Sequence, residues 1–252
     1  MNIQDRQYDQ FFDEAALRVD LAAAIRLACR ADWHEGVANH FSAAVSPDGR
    51  RFLVNPRWMH WSRVKASDLV LCDADDASTM DRPDAPDPSA WSIHSAIHQL
   101  LPQARVALHI HPPYATALAG LKDPTIKPID QVTARFFNRL AYDLSFGGIA
   151  TEAAEGKRIA AAIGNHAAVM MGNHGVTTLG GTVAEAFDAL YHLERAARTM
   201  VLAYSTGQEL SVMPDALAEE TAAEWETYKD AEFAHFAEMK RILDMEAPDY
   251  KD

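Results

Sequence analysis

The sequence predicts one α/β domain, preceded by an N-terminal arm and followed by a C-terminal helical tail. Its 252 residues are 48% hydrophobic and 23% charged, which is an ordinary globular composition. Segments with the apolar periodicity of helices alternate with short apolar runs that are typical of strands. We find no internal repeat and no linker, so we expect one domain at residues 15–212. The arm then covers residues 1–14, and the tail covers residues 213–252 and packs on this domain or on a neighbouring subunit.

Periodic apolar residues predict the helices. They cover residues 12–30, 91–101, 114–121, 152–163, 182–204 and most of residues 213–252. Pro102 lies just beyond the second of these segments, where a helix stops. Thr151 is placed to cap the fourth helix, and Thr182 forms a capping box with Glu185 at the start of the fifth.

Short apolar runs between these helices predict the strands. They cover residues 40–45, 51–55, 69–72, 106–111 and 167–171. The turn Pro47-Asp48-Gly49 joins the first two strands as a hairpin. Pro112 ends the fourth strand at a surface, and a glycine-flanked turn around His174 closes the fifth. The acidic run at residues 73–87 is expected to be an exposed loop.

The charge of the chain excludes several classes of function. Lys and Arg number 23 against 36 Asp and Glu, which gives a formal charge of −13 with no basic patch. Such a surface repels phosphate backbones and anionic lipids, so we expect neither a nucleic-acid partner nor a membrane partner. The start of the chain does not resemble a signal peptide, and no segment approaches ~20 unbroken apolar residues. Cys29 and Cys72 make no disulfide framework and lack the short spacing of a thiolate metal site. We therefore expect a cytoplasmic protein.

Two histidines two positions apart, His109 and His111, end the predicted strand at residues 106–111. Because alternate side chains of a strand point to one side, both imidazoles project together. Paired neutral imidazoles are a half-site for Zn, Mn, Fe or Co, although a solvated polar strand end has the same pattern. His174 lies in a glycine-flanked turn and is placed to complete a three-histidine site with open coordination positions. From spacing alone, a three-histidine metal site and an ordinary strand-ending turn at His174 agree equally well with the sequence.

Several stretches together resemble the class II aldolase/adducin family over residues 15–210. They are Asn39-His40-Phe41-Ser42, Val54-Asn55-Pro56, Ala66-Ser67-Asp68-Leu69-Val70, Ile93-His94-Ser95-Ala96-Ile97-His98, His109-Ile110-His111-Pro112-Pro113, Asn173-His174-Gly175 and Leu193-Glu194-Arg195-Ala196. The resemblance implies a three-layer α/β/α fold around a central, mainly antiparallel sheet. It implies one divalent metal ion per subunit on His109, His111 and His174, with Zn favoured over Mn, Fe or Co. It also implies a homo-oligomer, with a tetramer favoured and sites near the subunit interfaces.

Two segments depart from the sugar-phosphate aldolases of that family. Their Pro-Ser-Gly turn is replaced by Pro56-Arg57-Trp58, and their Ser-Ser-Glu segment is replaced by Pro88-Ser89-Ala90. An ungapped count puts Ala90 at the position of the acid/base Glu, and Trp58 is expected to fill the space that a phosphate uses. A phosphorylated-sugar aldolase is therefore disfavoured. The chain is more similar to an adducin-like bacterial branch that includes decarboxylases of small aromatic or heterocyclic hydroxy acids.

The resemblance therefore indicates a metal-dependent carbon–carbon lyase. We expect a decarboxylase of a small hydroxy- or keto-carboxylate in which the metal stabilises an enolate-like intermediate. Decarboxylation needs an acid that protonates the carbanion but no base that deprotonates an alcohol, which suits a site without the family Glu. An aldolase acting on a non-phosphorylated substrate, or a dehydratase or epimerase, stays open within enzymes. A non-catalytic interaction protein like the adducin head stays open outside them, although that head lacks the metal histidines.

Further residues are candidates for the chemistry around the metal. His94 and His98 are one helical turn apart, and we expect His94 to reach the site while His98 stays on the helix surface. Arg57 is a candidate clamp for a substrate carboxylate. The remaining candidates rest on the resemblance and are Asn39 and Gln131 for substrate binding and Tyr142 as a proton donor.

Overall fold

The computed structural model describes residues 13–145, 147–148, 153–228 and 230–252. Within these residues, a seven-stranded sheet is flanked by helices on both faces. The strands are β1 (His40–Ala44), β2 (Arg51–Val54), β3 (Val70–Asp73), β4 (Val106–Ile110), β5 (Leu140–Asp143), β6 (Ala168–Met171) and β7 (Gly175–Gly180). The helices are α1 (Glu14–Arg30), α2 (Pro88–Leu100), α3 (Pro113–Ala119), α4 (Gln131–Ala134), α5 (Ala153–Ile163), α6 (Val183–Ser205), α7 (Asp215–Thr227) and α8 (Ala231–Glu246). No helix in the described ranges has the length and apolar character needed to cross a bilayer.

The sheet is antiparallel apart from one pair of strands at its edge. Its order is β3-β2-β1-β4-β7-β6-β5, and only β5 and β6 run parallel within the described sheet. In the centre, His40 of β1 faces His109 of β4, and His109 faces Thr177 of β7. Facing residues of adjacent strands project from the same side of a sheet, so these three side chains form one row. The mainly antiparallel sheet expected from the resemblance is confirmed.

Alternate residues of β4 separate the two helical layers. Leu108 and Ile110 pack into one large core with α1, α3, α6 and α8. Ala107 joins a second core on the opposite face with Ile93 of α2 and Ile159 of α5. His109 lies between Leu108 and Ile110 and therefore projects to the side of α2. The three-layer α/β/α architecture is thereby confirmed, and it turns the row of polar residues towards α2.

The predicted helices and strands are present within a few residues, but two strands and α4 were not predicted. β7 has glycine at both ends and two threonines inside, so it carries neither alternation nor a continuous apolar run. It is nevertheless buried between β4 and β6, where the Thr178 hydroxyl donates to Ala186 O at 2.9 Å. The predicted cap Thr151 and most of the predicted arm, residues 1–12, lie outside the described residues.

The C-terminal tail packs back on the same chain. Arg26 donates to Asp249 at 2.8 Å, and Arg30 donates to Glu246 at 2.6 Å, which connects the tail to α1. The Tyr250 ring is fully buried, and its hydroxyl donates to Asp244 at 2.8 Å. The final residues therefore cover the outer surface of α1.

Candidate metal centre

The sheet brings the three predicted metal ligands together. His109 lies near the end of β4, His111 follows that strand directly, and His174 lies in the turn that enters β7. A Cβ at Gly175 would lie 2.4 Å from His111 Cδ2 and 2.6 Å from Ile110 O. Only glycine permits this close approach of the turn to the His111 ring. The nitrogen atoms of the three histidines lie within 4.8 Å of one another.

Hydrogen bonds fix the orientation of two of the three rings. The Thr177 hydroxyl donates to Met171 Sδ at 3.6 Å and therefore accepts from His109 Nδ1, at 3.0 Å. His111 Nδ1 donates to Glu35 Oε2 at 2.6 Å. With both Nδ1 atoms protonated, the two Nε2 atoms carry lone pairs and face each other at 3.2 Å. Two nitrogens at 2.0–2.1 Å from a tetrahedral ion lie about 3.3 Å apart, so this arrangement fits a shared cation.

Burial keeps the imidazoles of His109 and His174 neutral. Desolvation, with smaller effects from neighbouring histidines, holds the pKa of His109 well below its usual value. Desolvation, followed by the effect of His111, lowers the pKa of His174 to about 4. Neutral imidazole is the form that binds metal, so these two rings need no deprotonation at neutral pH.

The three histidines open onto a cavity of about 490 Å³. Its other polar lining residues are Glu35, Asn39, His40, Asn55, Arg57, Asp87, Ser89 and Asn173. Asn39 accepts from Glu35 N at 3.1 Å, while its buried Nδ2 has no partner among the described residues. The Arg57 guanidinium likewise forms no ion pair within the described ranges. A polar wall of this kind suits a small anionic ligand next to the metal ligands.

Comparison with known proteins identifies the family. Residues 19–201 match a sequence model described as Class II Aldolase and Adducin N-terminal domain. The chain belongs to the class II aldolase/adducin family. It is 34% identical over 197 residues to a Pseudomonas aeruginosa protein named among the aldolase class 2 proteins, covering 78% of this chain and 75% of that relative.

Two further relatives support the family and its fold. The chain is 25% identical to decarboxylase NovR of Streptomyces niveus, over 80% of this chain and 75% of that relative. The crystal structure of an aldolase II superfamily protein from Pseudomonas syringae matches with a TM-score of 0.86 and 32% identity. That match covers 95% of this chain and 96% of the other. The class II aldolase/adducin family thus includes a decarboxylase relative of this chain as well as proteins named as aldolases.

A chain of hydrogen bonds begins at the cavity wall of this class II aldolase fold. Asp87 caps α2, and the Ser89 hydroxyl donates to Asp87 Oδ1 at 2.6 Å. Ser89 Oγ also lies 3.2 Å from His40 Nε2. The His40 ring stacks on His109 with 4.8 Å between centroids. The metal cluster therefore has a hydrogen-bonded polar neighbour on the side of α2.

The chain continues from His40 into the protein interior. His40 Nδ1 lies 2.7 Å from His94 Nε2, and His94 Nδ1 contacts Ser42 Oγ. Ser42 Oγ also lies 2.7 Å from His98 Nε2, and His98 Nδ1 donates to Ala104 O at 2.7 Å. Desolvation lowers the pKa of His40 to about 3 and that of His98 to about 4. The histidines of this hydrogen-bonded chain are therefore neutral at pH 7.

The chain of hydrogen bonds from Asp87 to Ala104 O has one proton fewer than it has contacts. Its two ends, the Asp87 carboxylate and Ala104 O, only accept hydrogen bonds. Six contacts separate these ends, but two serines and three neutral histidines supply only five protons. One contact therefore lacks a proton whenever all five members are neutral.

The expectations for the two α2 histidines are partly corrected. His98 was expected on the helix surface, but it is buried because Ser42 and Ala104 O satisfy both of its nitrogens. His94 is fully buried and does not line the cavity. Its connection to the site runs through His40, whose ring lies between His94 and His109.

Two predicted site residues lie away from the cavity in the single chain. The Tyr142 hydroxyl accepts from Ile126 N at 3.0 Å, and burial raises its pKa to about 12. Gln131 begins α4 and lines another cavity beside Trp225, which donates to Gln131 O at 3.0 Å. Neither residue therefore contacts this centre within one chain.

The two departures from the sugar-phosphate aldolases have different structural outcomes. Trp58 does not fill the cavity, because its side chain is 70% exposed and its backbone has a left-handed φ of 64°. Ala90 is buried against Phe52 and Val54 and does not line the cavity. The carboxylates that line the cavity are those of Glu35 and Asp87, which sequence reasoning missed. In the sequence, Glu35 is marked only by its position before Gly36, and Asp87 only by its helix-capping position.

Proposed function

We propose that this member of the class II aldolase/adducin family is a metal-dependent carbon–carbon lyase that decarboxylates a small hydroxy- or keto-carboxylate. The observation that carries the proposal is the pair of facing Nε2 atoms of His109 and His111, 3.2 Å apart at the wall of the cavity. Both rings are held by acceptors at Nδ1, so a cation rather than a proton satisfies the pair.

His109, His111 and His174 would hold the metal. When bound, a divalent ion supplies a Lewis acid that stabilises negative charge on a substrate oxygen. Zn²⁺ agrees with an all-imidazole ligand set, and Mn²⁺, Fe²⁺ or Co²⁺ are the alternatives. Glu35 and Thr177 orient His111 and His109 by accepting from their Nδ1 atoms.

Other residues of the cavity bind the substrate and handle the proton. Arg57 pairs with the substrate carboxylate, and Asn39 Nδ2 donates to a neighbouring oxygen, because neither group has a described partner. Ser89 Oγ is the end of the hydrogen-bonded chain that faces the cavity. We place protonation of the product carbanion there: the Ser89 hydroxyl, oriented by Asp87, gives its proton to the carbanion and takes one back from solvent water in the cavity, whose hydroxide combines with the released CO₂ as bicarbonate. His94 holds His40 in position beside Ser89.

Decarboxylation is preferred over aldol cleavage for two reasons. The family Glu position carries Ala90, which is buried away from the cavity. The relative NovR is named as a decarboxylase, and the chain matches 75% of its length. We further propose a cytoplasmic homotetramer with sites near subunit interfaces, where Tyr142 and Gln131 of the assembled protein would act.

Metal analysis and product analysis test the proposal. We expect about one ion bound by the histidine trio, lost in the His109→Ala, His111→Ala double variant and kept in His166→Ala, a histidine remote from the cavity. With a panel of hydroxy- and keto-carboxylates, we expect CO₂ release that requires the ion. Aldehyde release without CO₂ would show an aldolase instead. A wild-type protein that binds no ion after reconstitution would support a non-catalytic, adducin-like role.

A further inference from the structure

A second cluster of metal-ligating side chains lies outside the catalytic cavity. Cys29 is near the end of α1, His34 follows in the next turn, and His60 precedes a 3-10 helix at Trp61–Arg63. His34 Nε2 lies 3.3 Å from Cys29 Sγ and 3.3 Å from His60 Nε2. The three ligand atoms lie within 4.8 Å of one another.

The spacing of these atoms fits a tetrahedral ion. At Zn–N distances of 2.0–2.1 Å and a Zn–S distance of 2.3 Å, two nitrogens lie about 3.3 Å apart and a sulfur and a nitrogen about 3.6 Å apart. The two separations from His34 Nε2, to Cys29 Sγ and to His60 Nε2, agree within a few tenths of an ångström. One thiolate and two imidazoles select a borderline ion such as Zn²⁺ or Co²⁺ over Mg²⁺ or Ca²⁺.

Hydrogen bonding alone does not satisfy this cluster. Cys29 and His60 both contact the same atom, His34 Nε2, which offers either one lone pair or one proton. One of the two contacts is therefore left unsatisfied, whereas an ion satisfies both. His60 Nδ1 accepts from Ser62 N at 3.2 Å and lies 2.8 Å from Ser62 Oγ. Binding of an ion at Nε2 would move the ring proton to Nδ1, which would then donate to Ser62 Oγ.

We propose that Cys29, His34 and His60 form a second metal site that binds a Zn²⁺-class ion through a thiolate and two imidazoles. The inference does not depend on the proposed reaction. Its place in the fold gives it a structural role, because the residue after His34 is Glu35, which accepts from His111 Nδ1. The ion would hold the segment at residues 34–39, which forms part of the cavity wall.

Cobalt titration of the metal-free protein tests the second site. We expect two Co²⁺ ions per chain and a thiolate-to-cobalt charge-transfer band in the near ultraviolet. Cys29→Ser should lose that band and bind one ion, while the matched control Cys72→Ser should keep the band and both ions, because Cys72 is fully buried elsewhere. The His109→Ala, His111→Ala variant should keep the band and lose the other ion. Absence of the band from the wild-type protein would overturn the proposal.

Thiol reactivity tests the same site in the unmodified protein. Cys29 is half-buried and the fully buried Cys72 is protected, so a disulfide reagent should titrate about one thiol in the metal-free native chain. Stoichiometric Zn²⁺ should slow that reaction at least tenfold, and a chelator should restore the rate. A rate that Zn²⁺ leaves unchanged would refute the thiolate ligand even if Cys29→Ser fails to fold.

Discussion

Ser42→Ala tests the buried histidine chain most directly. Ser42 is fully buried in β1, and its hydroxyl contacts both His94 Nδ1 and His98 Nε2. Alanine removes one oxygen atom and leaves the backbone of the strand unchanged. Two buried ring nitrogens then lose a partner without access to water.

The expected cost follows from those two nitrogens. A buried polar group left without its hydrogen bond costs about 1–3 kcal/mol, and one of the six contacts already lacks a proton, so the variant should lose about 1–6 kcal/mol of unfolding free energy. For a chain of this size, that loss lowers the melting temperature by roughly 2–20 °C. Ser95→Ala is a matched control on α2, because Ser95 Oγ is buried with no partner in the described ranges. Its unfolding free energy should stay within about 0.5 kcal/mol of the wild-type value.

Thermal and urea unfolding at one protein concentration and pH 7.5 provide the measurement, because association of the proposed oligomer would also contribute to apparent stability. Near-ultraviolet circular dichroism establishes that both variants are folded. If Ser42→Ala and Ser95→Ala unfold at the same temperature, the hydroxyl does not bridge the two histidines. The proton count for the chain would then fail as well.

Two further substitutions give predictions of other kinds. Burial raises the pKa of Glu194 to about 7 from 4.5, so the folded state keeps a proton that the unfolded chain loses, and stability falls as pH rises through that interval. Glu194 Oε1 and Oε2 accept from Tyr114 N and Ala115 N, so Glu194→Gln removes the titration but loses one of these two bonds. In urea unfolding, the variant should therefore show a flat stability between pH 5 and 8, whereas a pH profile parallel to that of the wild type would contradict the reasoning. Gly175→Ala should displace His111 and weaken metal binding about 10–100-fold in a chelator competition, while Gly120→Ala, whose nearest contact is at 3.4 Å, should not. Equal affinities for the two glycine variants would show that the turn tolerates a side chain.

The approach of the three histidines could be predicted because local geometry decides most of it. The spacing of His109 and His111 places both rings on one side of a strand in any fold. The turn around His174 needs glycine, and the family resemblance placed that turn beside β4. The sheet adds the register that sets Thr177 opposite His109, and no local pattern specifies it.

The errors arose where tertiary packing decides the environment of a side chain. His98 follows the helical pattern of a surface residue, yet α2 lies against the sheet and buries it. The roles predicted for Tyr142 and Gln131 stay predictions, because within one chain these residues contact Ile126 and Trp225 and the assembled site is a proposal. Glu35 was missed because its partner His111 is 76 residues away. The packing of the helical layers on the sheet decides which of these side chains meet, and no local stretch of sequence specifies it.

The histidine pairs described above differ in what lies between their facing ring nitrogens, which is a proton, a serine hydroxyl or, as we propose, a cation. His40 and His94 are 2.7 Å apart at their nitrogens, so a shared proton links them. The His94 and His98 rings are 6.1 Å apart, and a serine hydroxyl fills the gap. The His109–His111 and His34–His60 pairs have ring separations of 5.1 and 5.0 Å, too short for an intervening hydroxyl, and nitrogens 3.2–3.3 Å apart. A cation fits that spacing, so metal is proposed for both pairs and not for the buried, hydrogen-bonded histidines.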